Sequence, residues 1–243
     1  LFLQEIKEKN KNLRGNFSMI YVTGEMHGSE SRLYDREWRK LKAGDTLIVC
    51  GDFGYIWDGG KLEKEFIKYL GSRKFTVAFV DGTHENFDKI NACRETYWKG
   101  GKVHRIEGNL LHLMRGQVFN IEGHSIFTFG GGESNDKDIR SEKGLYWREE
   151  LPSPWEMAQG AAKLDEIGLN VDYIITHEPP KRVKSAMLLR AGTGDKVNKL
   201  NGFLEEIGQG CKYTKWYFGS MHEDRAVTPK HTCVFKKLIK LGE

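Results

Sequence analysis

The segment at residues 46–52, TLIVCGD, places an aspartate directly behind a short apolar run. A run of this length with β-branched residues is typical of a strand buried on both faces of an α/β sheet. Gly51 permits a sharp turn, so Asp52 is expected at the carboxyl edge of that sheet. Open α/β sheets bind their ligands at this edge, and the segment therefore predicts a functional residue.

The same pattern, an apolar run followed by His, Asp or Glu, recurs at four other places in the chain. The loops concerned are Gly24-Glu25-Met26-His27-Gly28, Asp81-Gly82-Thr83-His84-Glu85, His177-Glu178-Pro179-Pro180 and Gly219-Ser220-Met221-His222-Glu223-Asp224. Because parallel strands end at one edge of a sheet, the five loops are expected to form one polar cluster. Carboxylate and imidazole together suit Zn, Mn and Fe, so the cluster is predicted to be a metal site.

The order of the predicted elements favours one α/β domain over residues 19–243. With 243 residues, 30% of them charged, the chain is long enough to bury a sizeable core. The architecture predicted is a four-layer α-β-β-α sandwich, in which two mixed sheets pack face to face with helices outside. Residues 1–18 are polar and basic, and we expect them to be an extension outside the fold. Helices are predicted at residues 31–41, 61–70, 86–93, 154–168, 183–189 and 196–207.

Short apolar runs with glycine between them occupy residues 97–132. They predict antiparallel strands, and we expect these strands to form the second sheet. The glycine-rich end of this region, residues 130–133, is expected to approach the metal site. The last strands are predicted at residues 213–218 and 231–238.

Composition narrows the classes of function. A net charge of +4 and a pI near 8.7 are a mild basic excess, without the dense basic stripe that indicates nucleic-acid binding. The four cysteines form no CxxC pair and Cys50 lies in a buried-strand pattern, which predicts reduced thiols in a cytoplasmic protein. No apolar run reaches transmembrane length and no signal peptide is visible, so no membrane partner is expected.

The five loops, taken in order, resemble those of the calcineurin-like metallophosphoesterase superfamily. The loops of that family run D-x-H, G-D, G-N-H-[DE], a lone H and G-H-x-H. The corresponding residues here are Glu25-Met26-His27, Gly51-Asp52, Gly82-Thr83-His84-Glu85, His177 and Gly219-Ser220-Met221-His222. Each motif alone is weak, whereas the ordered set between residues 19 and 224 is specific. The chain departs from the family at Glu25, Thr83 and Ser220, where the family has aspartate, asparagine and histidine.

The resemblance implies an intact first metal position. Its ligands would be Glu25, His27, Asp52 and His222, with a glutamate one methylene longer than the family's aspartate. The carboxylate oxygen remains a suitable ligand for Mn, Fe or Zn. A surface carboxylate turned away from the metal is the alternative interpretation of Glu25.

The resemblance also implies a second metal position, which is weakened in this chain. Asp52 would bridge the two ions, and His177 would be the other strong ligand. Thr83 and Ser220 replace an asparagine and a histidine, and neutral hydroxyls are poor ligands beside imidazole. Hydrogen bonding within the loop, or to water, is an equally good interpretation of these two residues.

A metal-dependent phosphoesterase is the activity that the resemblance implies. Metal-activated water would attack a phosphomonoester or phosphodiester, with Asp52 as the bridging catalytic carboxylate and His84 as the general acid. Glu85 or another carboxylate would orient the His84 ring. The alternative is a catalytically impaired member that holds a metal or a phosphate without fast turnover.

The sequence leaves the phosphorylated substrate open. A phosphoprotein, a nucleotide and a nucleic-acid end are all compatible with the loops, because specificity would lie in residues 55–60, 133–152 and 181–195. Arg140 and Arg148 are candidate phosphate contacts, but a solvated surface position is the favoured interpretation of both.

Overall fold

The computed structural model describes residues 18–194 and 196–243, which form seven α-helices, two 3-10 segments and thirteen strands. The helices are α1 (Glu30–Leu33), α2 (Lys61–Gly71), α3 (Phe87–Asn91), α4 (Lys137–Glu142), α5 (Pro154–Glu166), α6 (Lys181–Arg190) and α7 (Lys199–Gly210). The strands are β1 (Ile20–Thr23), β2 (Thr46–Cys50), β3 (Thr76–Val80), β4 (Arg94–Trp98), β5 (Gly101–Glu107), β6 (Leu110–Leu113), β7 (Gln117–Ile121), β8 (His124–Phe129), β9 (Tyr173–Thr176), β10 (Lys215–Phe218), β11 (Arg225–Ala226), β12 (His231–Cys233) and β13 (Ile239–Lys240). The 3-10 segments are Arg36–Lys40 and Arg148–Glu150. Apart from Ser18, the predicted extension at residues 1–18 lies outside the described residues.

The strands form two mixed sheets. The first has the order β13-β1-β2-β3-β6-β5-β4, in which β1, β2, β3 and β6 run parallel. The second has the order β11-β12-β10-β9-β8-β7, in which β12, β10, β9 and β8 run parallel. Ile48 of β2 pairs with Val22 on one side and with Ala78 on the other, so β1, β2 and β3 end at the same level. Their loops therefore leave one edge of the sheet together.

Three apolar clusters confirm the predicted four-layer architecture. Alternate residues of β2 point to opposite faces: Ile48 and Cys50 pack between the sheets, whereas Leu47 and Val49 face the helices. The cluster between the sheets also contains Ile175 and residues of the other second-sheet strands. A third cluster lies between the second sheet and helices α5, α6 and α7. No helix within residues 18–194 and 196–243 is long and apolar enough to cross a lipid bilayer.

The antiparallel strands between residues 94 and 129 divide between the two sheets, so the prediction that they all form the second sheet is wrong. Strands β4, β5 and β6 extend the first sheet, because β6 pairs in parallel with β3 at Val77 and Leu110. Only β7 and β8 belong to the second sheet. An alternating pattern specifies which face of a strand is buried, and it carries no information about which strand will be its neighbour.

Two other predicted elements are shorter than expected. The predicted helix at residues 31–41 is interrupted, because the Asp35 side chain accepts the Glu37 N–H and starts a separate 3-10 segment. The predicted strand at residues 231–238 ends at Cys233, and the chain then crosses to pair β13 with β1 in the first sheet. This crossing brings residues 234–238 beside the loop that follows β1.

A buried polar network lies under the loop that follows β3. The Nδ1 atoms of His104 and His112 are 3.0 Å apart, and His112 Nε2 is 3.1 Å from Asp81 Oδ1. The Nε of Arg115 donates to Asp81 Oδ2 over 2.9 Å. Burial, with a smaller effect of the charge of His112, lowers the pKa of His104 to about 4. The folded protein therefore keeps the His104 ring neutral at pH 7.

We expect the free energy of unfolding to fall as the pH is lowered from about 6.5 to about 4, because the unfolded state binds a proton at His104 that the folded state excludes. The stabilising contribution is present above pH 6.5 and is of order 1–3 kcal/mol. Urea denaturation of the wild type and of His104→Gln at pH 7 and pH 4.5 measures it. The variant should lose less stability over this range, and an equal loss in both proteins would contradict the assignment.

Candidate metal centre

The five predicted loops meet at the carboxyl ends of β1, β2, β3, β9 and β10. They line one cleft of about 760 Å³ that lies across the edges of the two sheets. Candidate residues that line it are Glu25, Asp52, Thr83, His84, His177, Ser220 and His222. The ring of His27 lies against the same group, with its centroid 5.4 Å from those of His84 and His222. The structure thus brings every predicted metal-binding position into one cluster.

Backbone contacts hold the first, second and fourth loops together. The backbone carbonyl of Asp52 accepts the N–H groups of Met26, over 3.0 Å, and of His27, over 2.9 Å. Gly51 has a φ of +90°, and a Cβ at this position would overlap the ring of His177. The loops therefore approach each other at a distance that only glycine permits here.

The first predicted ligand group converges on the carboxylate of Glu25. His27 Nε2 lies 3.3 Å from Glu25 Oε2 and 3.4 Å from His222 Nε2, and His222 Nε2 pairs directly with the same carboxylate. The hydrogen bond to Glu25 raises the pKa of His27 against the opposing effect of burial. Glu25 itself is only 3% exposed, so its interpretation as a surface carboxylate is wrong.

Four residues of the cluster adopt the left-handed backbone conformation that residues other than glycine rarely adopt. The φ angles are 49° at His27, 45° at Asp52, 51° at Ser220 and 51° at His222. Such a conformation costs of order 1–3 kcal/mol and persists only where the surroundings impose it. Strain of this kind concentrates at functional sites, and here it coincides with the predicted ligands.

Asp52 is the centre of the cluster. Its Oδ1 accepts the backbone N–H groups of Thr83 and His84, the latter over 2.9 Å, and its Oδ2 lies 2.8 Å from His84 Nδ1. Burial alone would raise the pKa of Asp52, but the charge of His177 and the hydrogen bond from His84 outweigh it and hold that pKa far below its usual range. The carboxylate is therefore anionic at any pH near neutrality.

His177 is fully buried and has the orientation of a metal ligand. Its Nδ1 donates to the backbone carbonyl of Cys50 over 3.1 Å, which leaves Nε2 free to accept, 3.7 Å from Asp52 Oδ1. A ring nitrogen that donates to a backbone carbonyl fixes the tautomer of a ligating histidine.

The two altered positions have different environments. The Thr83 hydroxyl donates to Asp52 Oδ1 over 3.3 Å and lies 3.0 Å from His84 Nδ1, so it is hydrogen-bonded within the cluster. The Ser220 hydroxyl is buried without a hydrogen-bond partner among the described residues. Glu25, His27 and His222 are close enough to one another to hold a divalent transition metal, and Asp52 Oδ2 lies 3.9 Å from His27 Nδ1. Two further groups, His27 with Asp52 and His84, and Glu25 with Asp52 and His177, are equally close. Among the residues predicted for the second position, only Asp52 and His177 are strong donors.

Restoring the two missing ligands is expected to raise the metal content. Histidine tolerates the left-handed backbone of position 220, so Ser220→His combined with Thr83→Asn should bring bound manganese from about one towards about two ions per chain. Elemental analysis after loading and gel filtration measures the change, with each single variant as a control. An unchanged number of bound ions per chain in the double variant would show that Thr83 and Ser220 do not limit metal binding at the second position.

Glu85 does not occupy the place expected of a residue that orients His84. The carboxylate is fully buried and accepts the N–H groups of Phe53, over 2.7 Å, and Gly54, over 3.3 Å. Burial and the nearby charge of Asp52 raise the pKa of Glu85 well above its ordinary value. The ring of His84 is oriented by a different carboxylate, that of Asp52. Glu85 instead holds the loop after Asp52.

The segment after β8 forms one wall of the cleft. Gly132 lies so close to the cluster that a Cβ at this position would be 2.7 Å from the Thr83 side chain and 3.2 Å from the His177 ring. The prediction that residues 130–133 approach the site is therefore confirmed. Arg140 is buried, with 6% exposure, so its interpretation as solvated surface is wrong, whereas Arg148 is exposed as expected.

Sequence reasoning placed specificity in residues 181–195 but did not predict the polar contacts of the opposite wall of the cleft, which is built from α6 and the start of α7. There Lys184 Nζ lies 2.6 Å from Glu178 Oε2, and Asn201 Nδ2 donates to the same oxygen over 2.8 Å. Lys196 and Asn198 complete this wall. The only sequence signal for it was the Glu178 that follows His177 directly.

Comparison with known proteins identifies no relative: no protein-family model matches the chain, and no curated protein sequence matches it. The cluster combines an anionic carboxylate, a buried glutamate and four imidazoles, one of which, that of His84, hydrogen-bonds to the central carboxylate of Asp52.

Proposed function

We propose that the protein is a metal-dependent phosphoesterase that hydrolyses a phosphomonoester or a phosphodiester. The observation that carries the proposal is the position of His84, which hydrogen-bonds to Asp52 and lines the cleft outside the Glu25, His27 and His222 group, although it also lies close enough to His27 and Asp52 to share an ion with them. A pure binding site has no need of an additional proton donor beside its ligands. The resemblance of the five loops to metallophosphoesterases supports the same activity.

Glu25, His27, Asp52 and His222 would hold the ion, which is Mn, Fe or Zn on the basis of the mixed oxygen and nitrogen donors. When bound, such an ion polarises a phosphoryl oxygen and lowers the pKa of water. The protein contributes a preformed arrangement, because the backbone N–H groups of Thr83 and His84 fix the carboxylate of Asp52 before any ligand arrives.

His84 would supply the proton that the leaving group needs. The hydrogen bond from Nδ1 to Asp52 raises the pKa of His84 against the opposing effect of burial, which favours the protonated ring near neutral pH. The other ring nitrogen, Nε2, lies 3.8 Å from Asp136 Oδ2 on the wall of the cleft. A phosphate ester bound in the cleft beside the His84 ring would receive this proton on the oxygen of its leaving group.

Hydrolysis of p-nitrophenyl phosphate and bis(p-nitrophenyl) phosphate by the metal-loaded protein tests this function. We expect turnover of at least one ester that EDTA abolishes and added manganese restores. His124→Ala is the matched control, because His124 opens β8 at the edge opposite the cluster and is exposed. Turnover equal to that of the metal-free protein on both esters would contradict the proposal.

A second candidate is a module that binds one metal or a phosphate without fast turnover. The observation that favours it is the Thr83 hydroxyl, which is engaged by Asp52 and His84 and does not replace the family's asparagine as a free ligand. This candidate predicts tight binding of metal together with no metal-dependent hydrolysis.

We also propose a reducing compartment such as the cytoplasm. All four cysteines are free thiols, and Cys50, Cys211 and Cys233 are buried. Buried thiols without disulfides are typical of proteins in reducing compartments, which supports this location.

A further inference from the structure

We infer that Arg140 is a positioning residue of the proposed phosphoesterase site, where it fixes the peptide group between Thr83 and His84. The inference rests on the proposed function, because its consequence for turnover requires that turnover exists. Arg140 lies in helix α4 (Lys137–Glu142), far along the chain from both residues that it would position.

Each nitrogen of the Arg140 guanidinium has a polar contact, and the contact of Nη2 with Glu150 is an ion pair without hydrogen-bond geometry. Its Nη1 donates to the backbone carbonyl of Thr83 over 3.0 Å and lies 3.2 Å from Ser134 Oγ. Its Nε donates to the carbonyl of Leu145 over 3.1 Å, and its Nη2 lies 2.6 Å from Glu150 Oε1. The Arg140 side chain is 8% exposed, so these contacts replace nearly all of its hydration.

The peptide that Arg140 holds is also held from its other side. The carbonyl of Thr83 accepts from Arg140, and the N–H of the same peptide, which belongs to His84, donates to Asp52 Oδ1 over 2.9 Å. A cation on the carbonyl polarises the peptide and strengthens the hydrogen bond from its N–H group. Arg140 thereby supports the anionic Asp52 carboxylate without touching it.

The position of His84 depends on the same peptide. Its ring reaches Asp52 Oδ2 from Nδ1, while its backbone N–H binds Oδ1 of the same carboxylate. Rotation of the Thr83–His84 peptide would break the backbone bond and move the ring with it. Arg140, by fixing the carbonyl, therefore fixes both the carboxylate and the proposed general acid.

Arg140 is not placed to bind the substrate itself. It does not line the cleft, and its charge is matched by Glu150, which is 1% exposed and also accepts from Ser134 Oγ over 2.9 Å. The geometry indicates that Arg140 acts through Thr83 and His84, because its guanidinium does not reach the cleft in which a phosphate would bind.

Steady-state kinetics of Arg140→Met and Glu150→Gln separate positioning from a purely structural role. Both variants damage the same buried ion pair, but only Arg140→Met removes the donor to Thr83. We expect kcat to fall about 10- to 100-fold in Arg140→Met, with KM within about threefold, and kcat to stay within about threefold in Glu150→Gln. Arg140→Lys, which retains a donor, should recover part of the loss.

Amide hydrogen exchange gives a readout that needs no activity. The peptide spanning residues 81–87 should exchange at least about tenfold faster in Arg140→Met than in the wild type, measured where both are folded. A wild type without turnover would refute the proposed function, and exchange would then still decide whether Arg140 holds the peptide. Unchanged exchange at residues 81–87, or a kcat of Arg140→Met within threefold of an active wild type, would overturn the inference.

Discussion

Asp52→Asn is expected to weaken metal binding by more than about 100-fold, since removal of even an outer hydrogen-bond partner costs 10- to 100-fold. Asparagine has nearly the shape of aspartate and tolerates the left-handed φ of 45° at this position, so the backbone should be kept. The substitution removes the negative charge that His177 and His84 stabilise. Turnover should fall with the bound metal.

Isothermal titration with manganese measures this loss, and Asp58→Asn provides the control. Asp58 lies on the same loop but is exposed, and its carboxylate accepts only the nearby N–H of Gly60 among its backbone contacts. Asp58→Asn should bind manganese like the wild type. Equal affinity in Asp52→Asn and in the wild type would remove Asp52 from the metal centre.

His84→Ala is expected to lower kcat by about 10²- to 10⁴-fold while the metal content stays unchanged. The loss should depend on the leaving group, because p-nitrophenolate leaves readily without a proton and phenolate does not. Phenyl phosphate turnover should therefore suffer more than p-nitrophenyl phosphate turnover. The same fold loss for both esters would show that His84 does not act as the acid, and a loss of bound metal would make it a ligand.

The position of the candidate site was predictable from the sequence because the site lies at strand ends. Buried strands such as β2 have a clear apolar signature, and a polar residue behind each one must emerge at the edge of the sheet. Asp52, His84 and His177 follow from this rule alone, and all of them lie in one cluster. The predicted four-layer fold follows from the same strands.

The walls of the cleft could not be predicted in the same way. Arg140 lies in the short helix α4 and Glu150 in a 3-10 segment, within a charged stretch of sequence where a buried ion pair looks the same as solvated surface. Glu85 was expected to orient His84, but sequence adjacency does not fix the direction of a side chain, and its carboxylate turns to the backbone of Phe53. Long-range polar contacts of this kind become visible only with the tertiary structure.

The prediction that placed all of the antiparallel strands in the second sheet failed for a related reason. Strand β6 reaches the first sheet by pairing with β3, and the bulge between Arg105 and Glu107 of β5 accompanies that pairing. Neither event has a periodic signature in the sequence. This wrong assignment does not affect the predicted position of the site, because the residues of the cluster lie at the carboxyl ends of the parallel strands.

Metal content per chain, determined by elemental analysis after loading with Mn, Fe or Zn and gel filtration, tests the metal centre most directly. The wild type and Asp58→Asn should each retain about one ion per chain, and Asp52→Asn should retain almost none. A wild type that retains no ion from any of the three metals, or an Asp52→Asn protein that retains as much as the wild type, would contradict the assignment of this cluster as a metal site.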